Sequence, residues 1–457
     1  MISNKKIFRF SYLTTHSAIA FIVFVFLISG CRKGVKEITD RTGRGGQRPN
    51  IILILGDDIG YEIPNYTGGQ SYNTPNINQL AHQGMQFTQG RATPKCSPSR
   101  FMLMTGKYNF RNYTEWGVLN TSERTIANML HDEGYATCVA GKWQFDGGDI
   151  SIRKFGFDKY SVFLPFHARE VEEDVYRYKN PHIYENGIFL PDNETNNKYA
   201  DDIFADYICN FIDSNSTKPF FIYFSLNLAH NPLSPTPDDP EFATWNPLTD
   251  SSQPEYFPSM IQYMDKKVGQ VVNKIKAAGL DNKTVILYVG DNGTTKHIRS
   301  IFKGYPIIGE KSSTTEYGIH VPLAVRWPNK IIAGSISNNL LDFTDFLPTF
   351  ADIAEIPLPL NYGILDGLSF YPALKNIAGP KRSWTFCHYD PNFYDDTNFK
   401  RWVQNGAYKL YDSTYNNYFF NFINDIEETS PLPDGSLTPE EILIKSQFEQ
   451  VFLQMHN

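Results

Sequence analysis

Cysteine is scarce in this sequence: there are five in 457 residues, with no CxxC pair and no other metal-ligand spacing. That argues against both a zinc site built on thiolates and a disulfide framework. Long basic runs are also missing. The 42 Lys and Arg are outnumbered by 49 Asp and Glu, giving a formal charge of −7, which argues against nucleic acid as a partner. The apolar run AIAFIVFVFLI at 18–28 is too short for a membrane-spanning helix. Aromatic residues, in contrast, are abundant at 15%, and hydrophobic residues make up 41%. A chain of this length and composition buries a large core, excludes disorder and suits a globular enzyme of two or three domains.

The first residues look like an address and not part of the fold. Lys5, Lys6 and Arg9 precede the 18–28 apolar run, which ends in Ile28-Ser29-Gly30-Cys31. Small residues followed by cysteine resemble a bacterial lipoprotein cleavage box; the alternative is an ordinary secretory signal with an incidental cysteine. We expect a signal peptide over 1–30 and lipidation of Cys31. Its removal takes away three positive charges and no negative one, moving −7 to about −10. Residues 31–48 are polar, contain glycine and lack periodicity, so they read as a flexible tether. The expected product is an exported lipoprotein of the bacterial cell envelope, in the periplasm or at the outer membrane. Its membrane contact would be through lipid only.

From residue 49 onward, strand and helix patterns alternate. NIILIL (50–55), YATCVA (135–140), PFFIYFSL (219–226), TVILYV (284–289) and VPLAVRW (321–327) read as strands. Helices are expected over 74–84, 121–134, 202–213 and 256–278. This predicts an α/β fold: a large mixed, mainly parallel sheet flanked by helices, spanning 49–379. Beyond 380 the pattern changes. RWVQNGAYKLY and NYFFNFI suggest two antiparallel strands, and Thr438 to Glu441 forms a capping box, giving a smaller α+β subdomain over 380–457.

Four polar clusters follow predicted strands: Gly56-Asp57-Asp58, Gly141-Lys142-Trp143, Ala229-His230 and Gly290-Asp291-Asn292-Gly293. Ligands in open α/β sheets bind beyond the carboxyl ends of strands, so these clusters should converge. Either pair alone would be an ordinary loop cap. Together, Asp57, Asp58, Asp291 and Asn292 offer hard oxygens suited to Ca²⁺ or Mg²⁺ and not to zinc. Arg100, Lys142, Lys311 and His230 add positive charge and proton-transfer capacity, describing a pocket for an anionic, tetrahedral ester. The stretch ATPKCSPSRFMLMTG (92–106) reads as a helix start, with Ser97 as N-cap, Pro98 in the first position and Gly106 as the stop. Cys96 would sit at the positive end of that helix.

Cys96-Ser97-Pro98-Ser99-Arg100 resembles the C-x-P-S-R signature of type I sulfatases in the alkaline phosphatase superfamily. NIILILGDDIGY, TPNINQLAHQGMQFT, GYATCVAGKW, GDNG and HVPLAVRWP occur in that family's order, so the similarity covers roughly 49–423. The resemblance implies that a maturation enzyme oxidises Cys96 to formylglycine (3-oxoalanine), whose hydrate is the nucleophile. It implies Ca²⁺ bound by Asp57, Asp58, Asp291 and Asn292 together with residue 96, and sulfate held by Arg100 and Lys142. His230 would protonate the leaving alcohol. Lys311 best matches the family's second lysine, with Lys303 as the fallback. A sulfated glycan is the substrate class the resemblance suggests.

One position departs from the family. Where the pattern commonly reads Gly-Lys-Trp-His, this chain has Gln144, which can hydrogen-bond the hydrate or the sulfate but cannot take a proton. Another base, such as His297, His320 or a carboxylate, would then serve, or Gln144 marks a subgroup with its own solution. Two other readings stand beside the sulfatase: a phosphodiesterase or phosphonate hydrolase of the same superfamily, and a catalytically silent glycan-binding lipoprotein.

Overall fold

The computed structural model describes residues 48–167, 174–391 and 399–455. The expected signal peptide, the Cys31 anchor and the tether up to residue 47 lie outside the described residues. The chain builds ten strands into one sheet. In chain order they are β1 (Asn50–Gly56), β2 (Met85–Arg91), β3 (Ala136–Lys142), β4 (Lys159–Phe163), β5 (Tyr184–Glu185), β6 (Ile188–Phe189), β7 (Phe220–Ser225) and β8 (Thr284–Gly290). After a separate hairpin of β9 (Arg299–Phe302) and β10 (Tyr305–Ile308) come β11 (Leu323–Arg326) and β12 (Ser335–Asp342). The order across the sheet is β12-β2-β11-β8-β1-β7-β3-β4-β5-β6. The central run β8-β1-β7-β3-β4 is parallel throughout. β11 is antiparallel to both its neighbours, and β5 and β6 form an antiparallel edge.

The apolar runs of β1, β7 and β8 follow from burial on both faces. Successive side chains alternate: Ile51, Leu53 and Leu55 join one core with Phe101, Met129 and Phe350. Ile52 and Ile54 join the other, with Ile77, Leu80, Phe204, Ile208, Met264 and Val268. Each core therefore receives helices. Cys96–Thr105, Ile126–Asp132 and Phe346–Ile353 cover the first face, and Pro75–His82, Ala200–Ser214 and Phe257–Ala277 cover the second. Burial of tens of apolar side chains at about 1.5–3 kcal/mol each is the main favourable term.

Local signals shift some boundaries. The helix expected over 121–134 is shorter, Ile126–Asp132, because Thr125 accepts hydrogen bonds from the Ala127 and Asn128 amides in a capping box. The C-terminal region has four antiparallel strands in place of two: β13 (Thr385–Tyr389), β14 (Lys400–Gln404), β15 (Tyr408–Tyr411) and β16 (Phe419–Asn421). Cys387, His388 and Tyr389 lie in β13. The Thr438–Glu441 capping box opens the last helix, Pro439–Gln454, as the sequence predicts.

Candidate active site

Because β8, β1, β7 and β3 are adjacent and parallel, their carboxyl ends share one edge, and the predicted clusters converge there. The backbones interlock: the Asp291 amide donates to Gly56 O at 3.0 Å, the Asp57 amide to Leu228 O at 2.9 Å, and the Ala229 amide back to Asp57 O at 2.9 Å. Gly141 (φ 107°) is required at the end of β3, since a Cβ there would lie 1.7 Å from the Ser225 carbonyl oxygen. Gly141 and Lys142 are the last two residues of β3, not part of the loop that follows it.

Cys96 comes from the other direction. Its helix spans Cys96–Thr105, with Lys95 as the N-cap and Gly106 as the left-handed stop (φ 68°). The expected Ser97 N-cap is thus corrected: Cys96 is itself the first helical residue. Ser99, not Ser97, ties the entry together, bonding the Thr93 amide at 3.0 Å and Lys95 O at 3.1 Å. The Ser97 hydroxyl is buried without a hydrogen-bond partner among the described residues.

Asp57, Cys96 and Asp291 each present a ligand atom within 4.8 Å of the others, and so do Asp57, Asp58 and His230. Lys142 Nζ lies 2.8 Å from Asp57 Oδ2 and 3.4 Å from Cys96 Sγ. Arg100 is fully buried and grips Asp291 Oδ2 through Nε (3.1 Å) and Nη2 (2.8 Å). Its Nη1 donates to Ser225 Oγ, which in turn donates to Lys142 O at 2.7 Å. Lys311 Nζ bonds Asp58 Oδ2 at 2.7 Å. Asn292 Nδ2 donates to Asp58 Oδ1 at 2.8 Å. His230 Nδ1 donates to Asn231 O at 2.6 Å, which leaves Nε2 on the site side, 3.9 Å from Asp58 Oδ2.

Three carboxylates in a buried cluster repel one another. Burial, then the Asp57 charge, pushes the Asp291 carboxyl up to about 7. Burial acts the same way on Asp57, but Lys142, His230 and Arg100 outweigh it and hold that carboxyl well below the usual range. Burial pushes the Cys96 thiol up despite Lys142 nearby, so the thiol stays protonated at neutral pH. Burial, then Lys311 and Arg177, hold His230 well below the usual imidazole value.

The donor set fits a hard divalent cation. Asp57 Oδ1 and Asn292 Oδ1 are buried with no hydrogen-bond partner among the described residues, and they belong to residues that already converge with Asp58, Asp291 and position 96. A half-turn of the Asn292 amide would exchange its nitrogen for its oxygen toward the carboxylates. The cation would also relieve the repulsion that raises Asp291.

Among the remaining candidates, Gln144 is buried two residues beyond Lys142 in a left-handed conformation (φ 57°), its amide donating to Leu164 O at 3.4 Å. Lys303 is at the β9–β10 turn, its Nζ over the Phe302 ring at 4.9 Å, so Lys311 is the lysine of the cluster. His320 stacks on Tyr61 at 3.9 Å and bonds Thr88 O at 3.0 Å, and His297 is exposed. Neither is placed as a base for this cluster.

Residues the sequence reading missed complete the site. Ser225 is the last residue of β7 and lies inside the predicted 219–226 strand, so a search beyond the strand ends passed over it. Arg177 carried no motif at all. The C-terminal sheet grips the segment following Lys311: Tyr389 Oη donates to Ser312 O at 3.2 Å and Lys409 Nζ to Thr314 O at 2.6 Å. Tyr411 Oη bonds Thr314 Oγ1 at 2.7 Å, and Gln404 Nε2 donates to Glu316 Oε1 at 2.9 Å.

Comparison with known proteins agrees with this geometry. A family model described as sulfatase matches residues 49–356, and one described as N-sulphoglucosamine sulphohydrolase, C-terminal, matches 310–454. Arylsulfatase G of Rattus norvegicus is 27% identical over 463 residues, covering 87% of this chain and 85% of that protein. The N-acetylgalactosamine-6-O-sulfatase of Bacteroides thetaiotaomicron is 28% identical over 415 residues, covering 73% and 78%. In fold, the chain is similar to the crystal structure of Ps i-CgsB in complex with k-i-k-neocarrahexaose, with a TM-score of 0.72, 24% identity, and coverage of 90% of this chain and 93% of that one. The chain belongs to the type I sulfatase family of the alkaline phosphatase superfamily, and it is a sulfuric ester hydrolase.

Proposed function

We propose that the protein removes sulfate from a sulfated oligo- or polysaccharide, with Cys96 matured to formylglycine. We further propose a divalent cation, Ca²⁺ in preference to Mg²⁺, bound by Asp57, Asp58, Asp291, Asn292 and residue 96. The observation that carries this is the convergence of Asp57, Cys96 and Asp291 donor atoms within 4.8 Å beside Lys142. A buried thiol with a raised pKa is a poor nucleophile, which supports Cys96 as a precursor. The glycan class is supported by the relatives named for an N-acetylgalactosamine sulfate and bound to a neocarrahexaose.

When in place, the cation would polarise sulfuryl oxygens and the formylglycine hydrate would provide the attacking hydroxyl. The chain's own residues do the rest. Lys142 and Lys311 would bind the sulfate oxygens, and Arg100 would keep Asp291 ionised and oriented. His230, its Nδ1 fixed on Asn231 O, presents Nε2 for proton delivery to the leaving alcohol. Burial and then Lys311 depress His230, and an anionic ester bound by Lys311 would oppose that charge and favour the protonated form.

The N-terminal pattern supports export and anchoring at Cys31, placing the enzyme in the cell envelope with its maturation enzyme acting on the C-S-P-S-R segment. The decisive experiment is peptide mass spectrometry across Cys96 on protein from its native host, paired with a panel of sulfated saccharides. Conversion lowers the residue mass by about 18 Da. Fully active protein with an unmodified Cys96 would sink the mechanism. Chelation should abolish activity and lower Tm, with Ca²⁺ restoring both.

The C-terminal sheet contributes by holding the Lys311 segment. Tyr389→Phe deletes one hydrogen bond to Ser312 O, about 1 kcal/mol, so kcat/KM should fall by up to roughly fivefold. The same variant in a Lys311→Met background should have almost no further effect. Equal losses in both backgrounds would separate the sheet from Lys311.

A further inference from the structure

We propose that Arg177 is a sulfate-binding residue of this site, donating to the oxyanion of the substrate beside Lys142 and Lys311; this rests on the sulfatase reading above. The Arg177 side chain is 1% exposed, yet its Nε and Nη1 have no hydrogen-bond partner among the described residues. Only Nη2 is engaged, by Asp174 Oδ1 at 2.6 Å, and that aspartate is itself 43% exposed. Nη1 stands 3.7 Å from Asp57 Oδ2, the same oxygen that Lys142 Nζ bonds at 2.8 Å. Two cations therefore converge on one carboxylate oxygen, and only one of them is bonded to it.

The guanidinium is held for this position. It rests on the Phe163 ring at 4.8 Å, at the end of β4, whose carbonyl at 163 accepts from the Trp143 amide next to Lys142. The Arg177 carbonyl accepts from Asn227 Nδ2 at 3.2 Å, while Tyr178 Oη is bonded to Asn227 O (2.8 Å) and His230 O (2.6 Å). Arg177 is thus fixed to the segment that carries His230.

Pinning Asp57 does not account for the arrangement, because Lys142 already satisfies that oxygen and Arg177 makes no hydrogen bond to it. A buried guanidinium with idle donors is costly, and a planar fork of N–H groups matches a tetrahedral oxyanion. Asp57, Asp58 and Asp291 are matched one for one by Lys142, Lys311 and Arg100. Arg177 is paired only with the 43% exposed Asp174, which leaves its Nε and Nη1 for an anion.

The test uses the matured, Ca²⁺-loaded full chain and measures binding of inorganic sulfate by calorimetry, with Ca²⁺ affinity measured separately. Arg177→Gln should bind sulfate at least tenfold more weakly, with Ca²⁺ affinity within twofold of the wild type. Arg177→Lys, which keeps the charge but not the fork, should fall between them and serves if the glutamine variant does not fold. Sulfate affinity unchanged in a folded variant overturns the proposal, as does weaker Ca²⁺ binding with unchanged sulfate affinity, which would make Arg177 a brace for Asp57. A wild-type enzyme that neither binds sulfate nor hydrolyses any sulfate ester removes the sulfatase reading and this proposal with it. An active wild type matched by Arg177→Gln removes only this proposal.

Discussion

Cys96→Ala protein should lose sulfatase activity by about 10⁵-fold or more, the scale seen when a covalent nucleophile is removed. The loss should appear in kcat and not in substrate affinity, because the groups that hold the anion remain. Lys142 keeps its 2.8 Å bond to Asp57, Arg100 keeps Asp291, and Lys311 keeps Asp58. Stability should change little. Cys96 is the first residue of its helix, alanine is a good helix former, and removing one buried sulfur costs about 1 kcal/mol. Two measurements check this: initial rates on a sulfated saccharide, and thermal unfolding in the same buffer. Activity within tenfold of the wild type would show that position 96 is not the nucleophile, whatever its resemblance to the family. Loss of folding would move Cys96 from chemistry to structure.

The proposed metal and sulfate ligands could be picked out because they sit where a simple rule looks. Asp57, Asp58, Lys142, Asp291 and Asn292 each lie at or just beyond the end of an apolar strand, and the parallel order β8-β1-β7-β3 brings those ends to one edge. Lys311 obeys no such rule. It lies on an irregular segment and was identified by family resemblance, and its position depends on Tyr389, Lys409 and Tyr411, more than seventy residues away in sequence. Arg177 was illegible for a related reason. A lone arginine in VYRYKN carries no periodicity, and its role comes from burial against Phe163 and Asp57, which only tertiary packing creates. The helix start at Cys96 misled because two serines follow it at cap-compatible spacing. The choice of Ser99 depended on where Thr93 approached. In the C-terminal sheet, NYFFNFI holds β16 as read, but RWVQNGAYKLY folds back on itself as β14 and β15, and β13 escaped because a short aromatic strand resembles loop sequence when its partner is distant.

The role of His230 makes a prediction that depends on the leaving group. His230→Gln retains a side chain of similar reach but cannot deliver a proton. On a saccharide sulfate, whose alcohol leaves poorly as an alkoxide, kcat should drop by about 10²–10⁴-fold. On an activated aryl sulfate, whose phenolate leaves without help, the drop should stay below about tenfold. The difference between the two ratios isolates proton transfer from any disturbance of Asp58, 3.9 Å from Nε2, because a structural disturbance would weaken both reactions alike. Equal losses on the two substrates would therefore remove His230 as the acid. The other two candidate histidines do not offer a substitute from their present positions: His320 is bonded to Thr88 O and stacked on Tyr61, and His297 faces solvent. If His230 is the acid, the histidine that Gln144 replaces is dispensable for this half of the reaction. The cost of that replacement should then appear in the release of sulfate, as a burst of alcohol product ahead of steady-state turnover, in the wild-type enzyme itself.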